Sequence, residues 1–305
     1  MIASAAFDIL LCLLIVTVAV GSVAARDLFG AVALYIVYGL LLAIGWVRLG
    51  AVDVGLAEGA IGAGLTGVLL LGAAARLKAA PDPPRLRIVP LLLCLAVSLG
   101  LGAAVLSLSV PQPGLVPLVQ ENLAASGVGN PVTAVLLNFR GWDTLVESVV
   151  LVVALVGVWA LAPDDLWDGR PGAAQRVKRD AVLNTFGRLL PPVGLMVGIY
   201  IVWIGAYAPG GAFQAGTVLA AVWLLAIMAG VAEPPPVRRP LWRALLVLGP
   251  AVFLLAGLHG TLWGAFMSFA PAKAKTMIMA IEFTLTLSIA VTLAMLVLGR
   301  PRRPA

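Results

Sequence analysis

Asp53-Val54-Gly55-Leu56-Ala57-Glu58-Gly59-Ala60-Ile61-Gly62-Ala63-Gly64-Leu65-Thr66-Gly67 places a carboxylate, Glu58, about one turn inside an apolar run that extends to residue 75. About 20 apolar residues in a helix rising ~1.5 Å each cross roughly 30 Å of hydrocarbon. A charge inside such a run is costly and calls for a task or a partner. Gly55, Gly59, Gly62 and Gly64 keep the helix surface narrow, so neighbouring helices pack closely and hold Glu58 in protein rather than against lipid. The stretch predicts a packed membrane helix that carries an acid. Glu58 then either exchanges a proton, relaying charge where water or another polar group reaches it, or belongs to a packing helix, snorkelling to the outer interface or forming a structural pair. Asp53 reads as an interfacial residue at the helix start.

The rest of the chain repeats this pattern. Of 305 residues, 62% are hydrophobic and 11% charged, and the mean hydropathy is +1.07, outside the range of soluble domains. Apolar runs near 2–23, 28–47, 54–75, 88–108, 143–162, 185–206, 213–230, 244–262 and 276–298 predict an all-α, polytopic protein with nine transmembrane helices. Helices are required because lipid leaves backbone amides and carbonyls no other partner. The first run begins almost at Met1 without a basic segment before it, and is read as a retained helix.

Nine crossings put the termini on opposite sides, and the basic residues choose between the two orientations. With the N-terminus outside and the C-terminus inside, fifteen Lys and Arg fall in inner loops and tail, against four outside: Arg48, Arg140, Lys273 and Lys275. That asymmetry follows the positive-inside rule. It also accounts for the net charge of +6, and with no basic stripe interleaved with aromatics the chain offers nothing for nucleic acid. Cys12 and Cys94 lie in apolar runs with no Cys-x-x-Cys spacing, so they read as helix-packing residues rather than a disulfide framework or metal site. No cofactor fingerprint and no nucleophile-base-acid arrangement is present, so the chain reads as a transport component and not an enzyme. The interruptions at 76–87, with Pro81, Pro83 and Pro84, and at 163–184 divide the runs into blocks of three, two and four helices.

Two further acids lie inside apolar runs. Glu147 follows Asp143 by four residues, so the two share a helix face, with Asp143 at the boundary and Glu147 a turn deeper. Together Asp143 and Glu147 are candidates to mark an ion route from the outer surface inward; the alternative is that Arg140, three residues before Asp143, simply neutralises it, leaving Glu147 as the stronger candidate. Glu282 lies about two turns inside the last run, with Lys273 and Lys275 before it. Lys275 is seven residues away, too far for a direct pair. A relay through Glu282, Lys275 and another helix, or a structural pair for Glu282, both fit. His259, the sole histidine, titrates in the range useful for proton exchange, but also suits a hydrogen-bonded helix contact. Asp8 is weaker, being able to reach the interface. Pro209-Gly210-Gly211-Ala212-Phe213-Gln214 forms a tight turn in which Gln214 bridges helices or lines a polar cavity. The segment 131–139 is too short to span and is expected to pack over the bundle, with Trp142 anchoring the next helix at the interface.

At these residues the chain resembles components of the multisubunit Mrp (Mnh) cation/proton antiporters and the membrane arms of energy-converting hydrogenases. Residues 1–77, including the run from Leu49 to Thr66, resemble the MbhD module. Residues 88–162, especially Gly129 to Asp143 leading into Glu147, resemble MbhE, and residues 181–298, with the Pro209-to-Gly216 turn, resemble MrpB/MnhB. The first two modules commonly form the end of a much larger MrpA-type polypeptide, so this chain looks like those parts fused to an MrpB-type one without the large antiporter-like domain. The resemblance implies a multi-pass subunit in a prokaryotic inner or cell membrane that works without a cofactor of its own. Its implied partners are antiporter-like large subunits, a small NuoK-like or MrpC-like subunit and other Mrp-type small subunits. Monovalent cations and protons are the implied cargo, with Glu58 and Glu147 on the ion route and a transient sodium ion near either. The competing expectation is a structural subunit that positions pumping partners.

Overall fold

The computed structural model describes residues 2–77, 88–108, 114–172 and 181–302. They are almost wholly helical, and eight helices are long and apolar enough to cross a membrane. In chain order the elements are α1 (Ile2–Ala24), α2 (Leu28–Arg48), α3 (Val52–Ala74) and α4 (Ile88–Ser107). A short α5 (Val116–Asn122) and α6 (Pro131–Ala134) precede α7 (Gly141–Ala160), α8 (Ala181–Ile204), α9 (Ala212–Met228), α10 (Pro240–Gly260) and α11 (Pro271–Leu298). The run expected at 213–230 is α9, whose 17 residues reach only about 25 Å. It begins directly after the glycine turn and ends before Gly230 and the prolines 234–236, and it lies against α8 and α11. Protein contacts, rather than length, hold it in the bundle.

The helix ends follow local chemistry. Asp27 caps α2 by accepting from the Gly30 amide at 2.6 Å, and Asn130 caps α6 by accepting from Val132 at 2.9 Å, with Pro131 next, where a missing N–H costs nothing. The middle of α3 departs from α geometry: Glu58–Leu65 is a π-helical segment, with Thr66 Oγ1 donating to the Ile61 carbonyl at 3.0 Å. Such widened turns occur often at functional sites. This segment also lies at a close helix crossing, since a Cβ on Gly39 of α2 would meet Ala63 Cβ at 2.9 Å.

α11 is the axis of the molecule. Ile278, Ile281 and Leu285 are fully buried among α7, α9 and α10, and two thirds of its membrane window is covered by protein. α4 is the opposite case, with none of its window buried. Cys12 and Cys94, expected at helix contacts, are exposed on the chain's surface. The short segment at 131–139 is helical, continuing from α6 into a π turn at Val135–Phe139, and it docks on the bundle. Thr133 Oγ1 donates to the Gly205 carbonyl at 2.6 Å, and Asn130 Nδ2 to Ala208 at 3.1 Å.

At the far end from this dock, a two-residue ladder pairs β1 (Arg170–Pro171) with β2 (Pro301–Arg302). The Gly169 carbonyl accepts from Val237, and ion pairs join Arg238 to Asp168 at 3.0 Å and Arg170 to Glu233. These exposed pairs add little energy. The buried Trp159, edge-on to Trp167, and the stacked Trp223 and Trp242 fill the space beneath them.

Candidate functional site

A cavity of ≈250 Å³ lies where the α6 dock, the glycine turn and α3 meet α7 and α11. Glu282 of α11, Glu147 of α7 and Asp53 of α3 all line it, together with Gly210, Gly211 and Gln214. No Lys, Arg or His belongs to its lining among the described residues. Every ionisable group in its wall is therefore acidic.

Glu282 is the most deeply placed of the three, at 2% exposure. Its Oε2 has no hydrogen-bond partner among the described residues. A buried polar oxygen left unmatched ordinarily costs about 1–3 kcal/mol. Gly211 explains how the turn reaches it. With φ +128 and ψ −177 this residue occupies a region that is essentially confined to glycine, and a Cβ there would sit 3.5 Å from Glu282 Oε1 and 3.3 Å from Gln214 Oε1. The turn closes directly over the carboxylate.

Asp53 holds the turn in place. The Gly210 amide donates to Asp53 Oδ1 at 3.0 Å, and Gln214 Nε2 donates to the Asp53 carbonyl at 3.3 Å. The first residues of α3 are thereby clamped to a loop more than 150 positions later. Thr133 and Thr144, also in the wall, donate to the carbonyls of Gly205 and Leu136, so their hydroxyl oxygens are left to the cavity as acceptors only. Asp53→Ala is expected to lower the stability of the chain by about 1–2 kcal/mol, because it leaves a turn amide unmatched. Asp53→Asn, which keeps the acceptor oxygen, should retain most of it; thermal unfolding in detergent reads the difference.

The other sequence candidates are dispersed. Glu58 sits half-buried in the π segment with its carboxylate folded against Gly62, and does not line the cavity. Asp143 is exposed and paired with Arg140 at 2.5 Å, as the spacing predicts. Lys275 does not reach Glu282; its ammonium lies over the Tyr207 ring at 5.1 Å. His259 accepts from Trp263 Nε1 at 3.2 Å, away from the cavity wall. Asp8 pairs with Arg48 at 2.6 Å. Among the described residues no three acidic, histidine or cysteine side chains converge tightly enough to chelate a metal. Asp53 is the member that sequence reasoning missed. The signal available was the Gly210 amide, which finds its acceptor in Asp53 rather than in its own loop; the Gly211 amide is already met by the Ile201 carbonyl at 3.2 Å.

Comparison with known proteins places two parts of the chain. Residues 182–300 match a domain related to the MnhB subunit of Na+/H+ antiporters, and residues 13–79 match MbhD, the D component of MBH. An uncharacterised protein of Methanocaldococcus jannaschii is 30% identical over 157 residues, 47% of this chain and 60% of that protein. Among solved structures, a chain of the Mrp complex from Dietzia sp. DQ12-45-1b superposes with a TM-score of 0.77 over 97% of this chain and 35% of its own length, at 23% identity. At that identity the likeness is one of fold. A chain of the membrane-bound sulfane sulfur reductase MBS, an archaeal respiratory membrane complex, superposes with a TM-score of 0.56 at 25% identity, over 70% of this chain and 98% of its own. The chain thus spans 60% of the M. jannaschii relative and about a third of the Dietzia chain.

Proposed function

This chain is an Mrp/Mnh-type membrane subunit that carries an MbhD module and an MnhB-related one, and from that premise we propose that its acidic cavity is part of the route by which a larger assembly exchanges a monovalent cation for protons. The observation that carries this reading is Glu282, buried with its Oε2 unmatched among the described residues and lining a cavity built from both matched modules and the segment between them. A carboxylate with no basic neighbour balances its charge with a proton or with a small cation and water. Carboxyl, amide and hydroxyl oxygens are the hard donors such cations take, and Glu147, Asp53, Gln214 and the two threonines supply them around the same space. Because these groups are spread over a wall rather than gathered into a cage, the cavity suits passage more than retention.

In this reading residues 88–162 form an MbhE-like module that contributes Glu147, and the helices cross the prokaryotic cell membrane nine times from an outside N-terminus. Antiporter-like large subunits and a small MrpC-like subunit complete the route. Glu58, in the π segment beside the cavity wall, serves the same path from its own side of α3. The competing reading, a scaffold for pumping partners, draws on the wholly exposed apolar α4. Glu147→Gln in the assembled complex separates the two: we expect sodium-dependent proton movement in everted vesicles to fall about tenfold, the kinetic equivalent of ~1.4 kcal/mol, with assembly intact. Unchanged turnover would favour the scaffold.

A further inference from the structure

A second cavity, of ≈510 Å³, lies further along α3 and α9, beyond the Asp53 clamp. The two helices are drawn together at the clamp and leave a groove between them toward their C-terminal ends, floored by Val297 and Leu298 of α11. Gly64 and Val68 form one wall, Ala221 and Leu224 the other. Two residues of the lining are polar. Thr217 has its hydroxyl committed to the Phe213 carbonyl at 2.8 Å, and Arg76, just past α3, stands at the end of the groove beside Gly172. Gly172 follows the β1–β2 ladder directly, so Arg170 and Arg302 belong to the same end of the molecule.

An occupant of this groove therefore meets no free side-chain donor along its length, with the Thr217 oxygen left as an acceptor only, and a guanidinium at its end. The surroundings of a membrane helix bundle supply a molecule of that polarity. We propose that the groove seats an acyl chain of an anionic phospholipid whose phosphate lies beside Arg76. Basic residues at the end of a cleft between transmembrane helices recognise anionic headgroups, and an acyl chain fills an apolar groove without presenting polar groups to its walls. The lipid would bridge the MbhD module to the MnhB-related one at the seam where their helices part. This assignment does not depend on the ion route proposed above.

Native mass spectrometry of the chain in its purified complex, depleted of lipid by detergent exchange and then titrated with phosphatidylglycerol or phosphatidylcholine, tests it. We expect one phosphatidylglycerol retained per chain in preference to phosphatidylcholine. Arg76→Gln, at an exposed position, should reduce that preference about fivefold. Ala221→Trp and Val68→Trp, which fill the groove from opposite walls, should remove the adduct while circular dichroism still reports a folded chain. Equal retention of the two lipids, or an adduct that survives both tryptophan variants or keeps its preference in Arg76→Gln, would overturn the proposal. So would a photo-crosslinker at position 68 that captures a polypeptide of the assembly instead of lipid.

Discussion

Glu282→Gln is expected to stop cation-coupled proton movement by the assembled complex while leaving the chain folded. The two expectations have one cause. Glu282 is buried with an oxygen that none of the described residues matches, so the ionised side chain contributes a cost to folding rather than a gain. Glutamine has nearly the same volume and cannot ionise, and its thermal transition in detergent should equal or exceed that of the native chain. Transport should fall by at least tenfold, a loss of about 1.4 kcal/mol or more of barrier lowering, since an amide neither releases a proton nor balances a cation. Such opposed effects on stability and activity are the signature of a residue kept for function. Glu282→Asp keeps the charge but withdraws it by one methylene, and should retain a measurable fraction of the activity. Full sodium-driven proton movement by Glu282→Gln proteoliposomes would remove this residue from the route.

Gly211→Ala is the second large effect. The residue sits at φ +128 and ψ −177, where a side chain costs about 1–3 kcal/mol of backbone strain. The turn cannot relax freely, because its neighbour Gly210 is bound to Asp53 and Gly205 lies under it: a Cβ at 205 would meet the Gly211 nitrogen at 2.7 Å. A displaced turn moves Gln214 away from the Asp53 carbonyl and opens the roof over Glu282. We expect a lower unfolding temperature in detergent and less assembled complex in the membrane, together with transport loss in what does assemble. Pro209→Ala, which touches neither the positive-φ residue nor the clamp, should change stability by less than about 1 kcal/mol. If Gly211→Ala matched that mild control in both measurements, the turn would not be what shapes the site.

The contrast between these residues shows which features a sequence can express. Hydropathy and length predict the helices well because hydrocarbon leaves the backbone one solution. They place α9 too, although its 17 residues fall short of a full crossing and are held by α8 and α11 instead. The pairing of Asp143 with Arg140 is legible because it is local, three residues apart on one helix. Asp53 and the glycine turn are not, since 157 positions separate Asp53 from Gly210 and no periodicity encodes the contact. The spacing of Lys275 and Glu282 excludes a direct pair but leaves open a relay through another helix; Tyr207, from the loop after α8, takes the lysine instead. The π segment at Glu58–Leu65 escapes composition altogether, as its residues are ordinary for a membrane helix. It turns Glu58 back against Gly62 and leaves Asp53, Val54, Ala57 and Ile61 to face the cavity.

The account stands on membership of an ion-translocating assembly, and extraction from the native membrane in mild detergent, followed by mass-spectrometric identification of what remains bound in stoichiometric amounts, tests that directly. We predict recovery of antiporter-like large subunits and a small MrpC-like subunit with this chain. Reproducible recovery of the intact chain alone, under conditions that hold other membrane complexes of the same cells together, would contradict it.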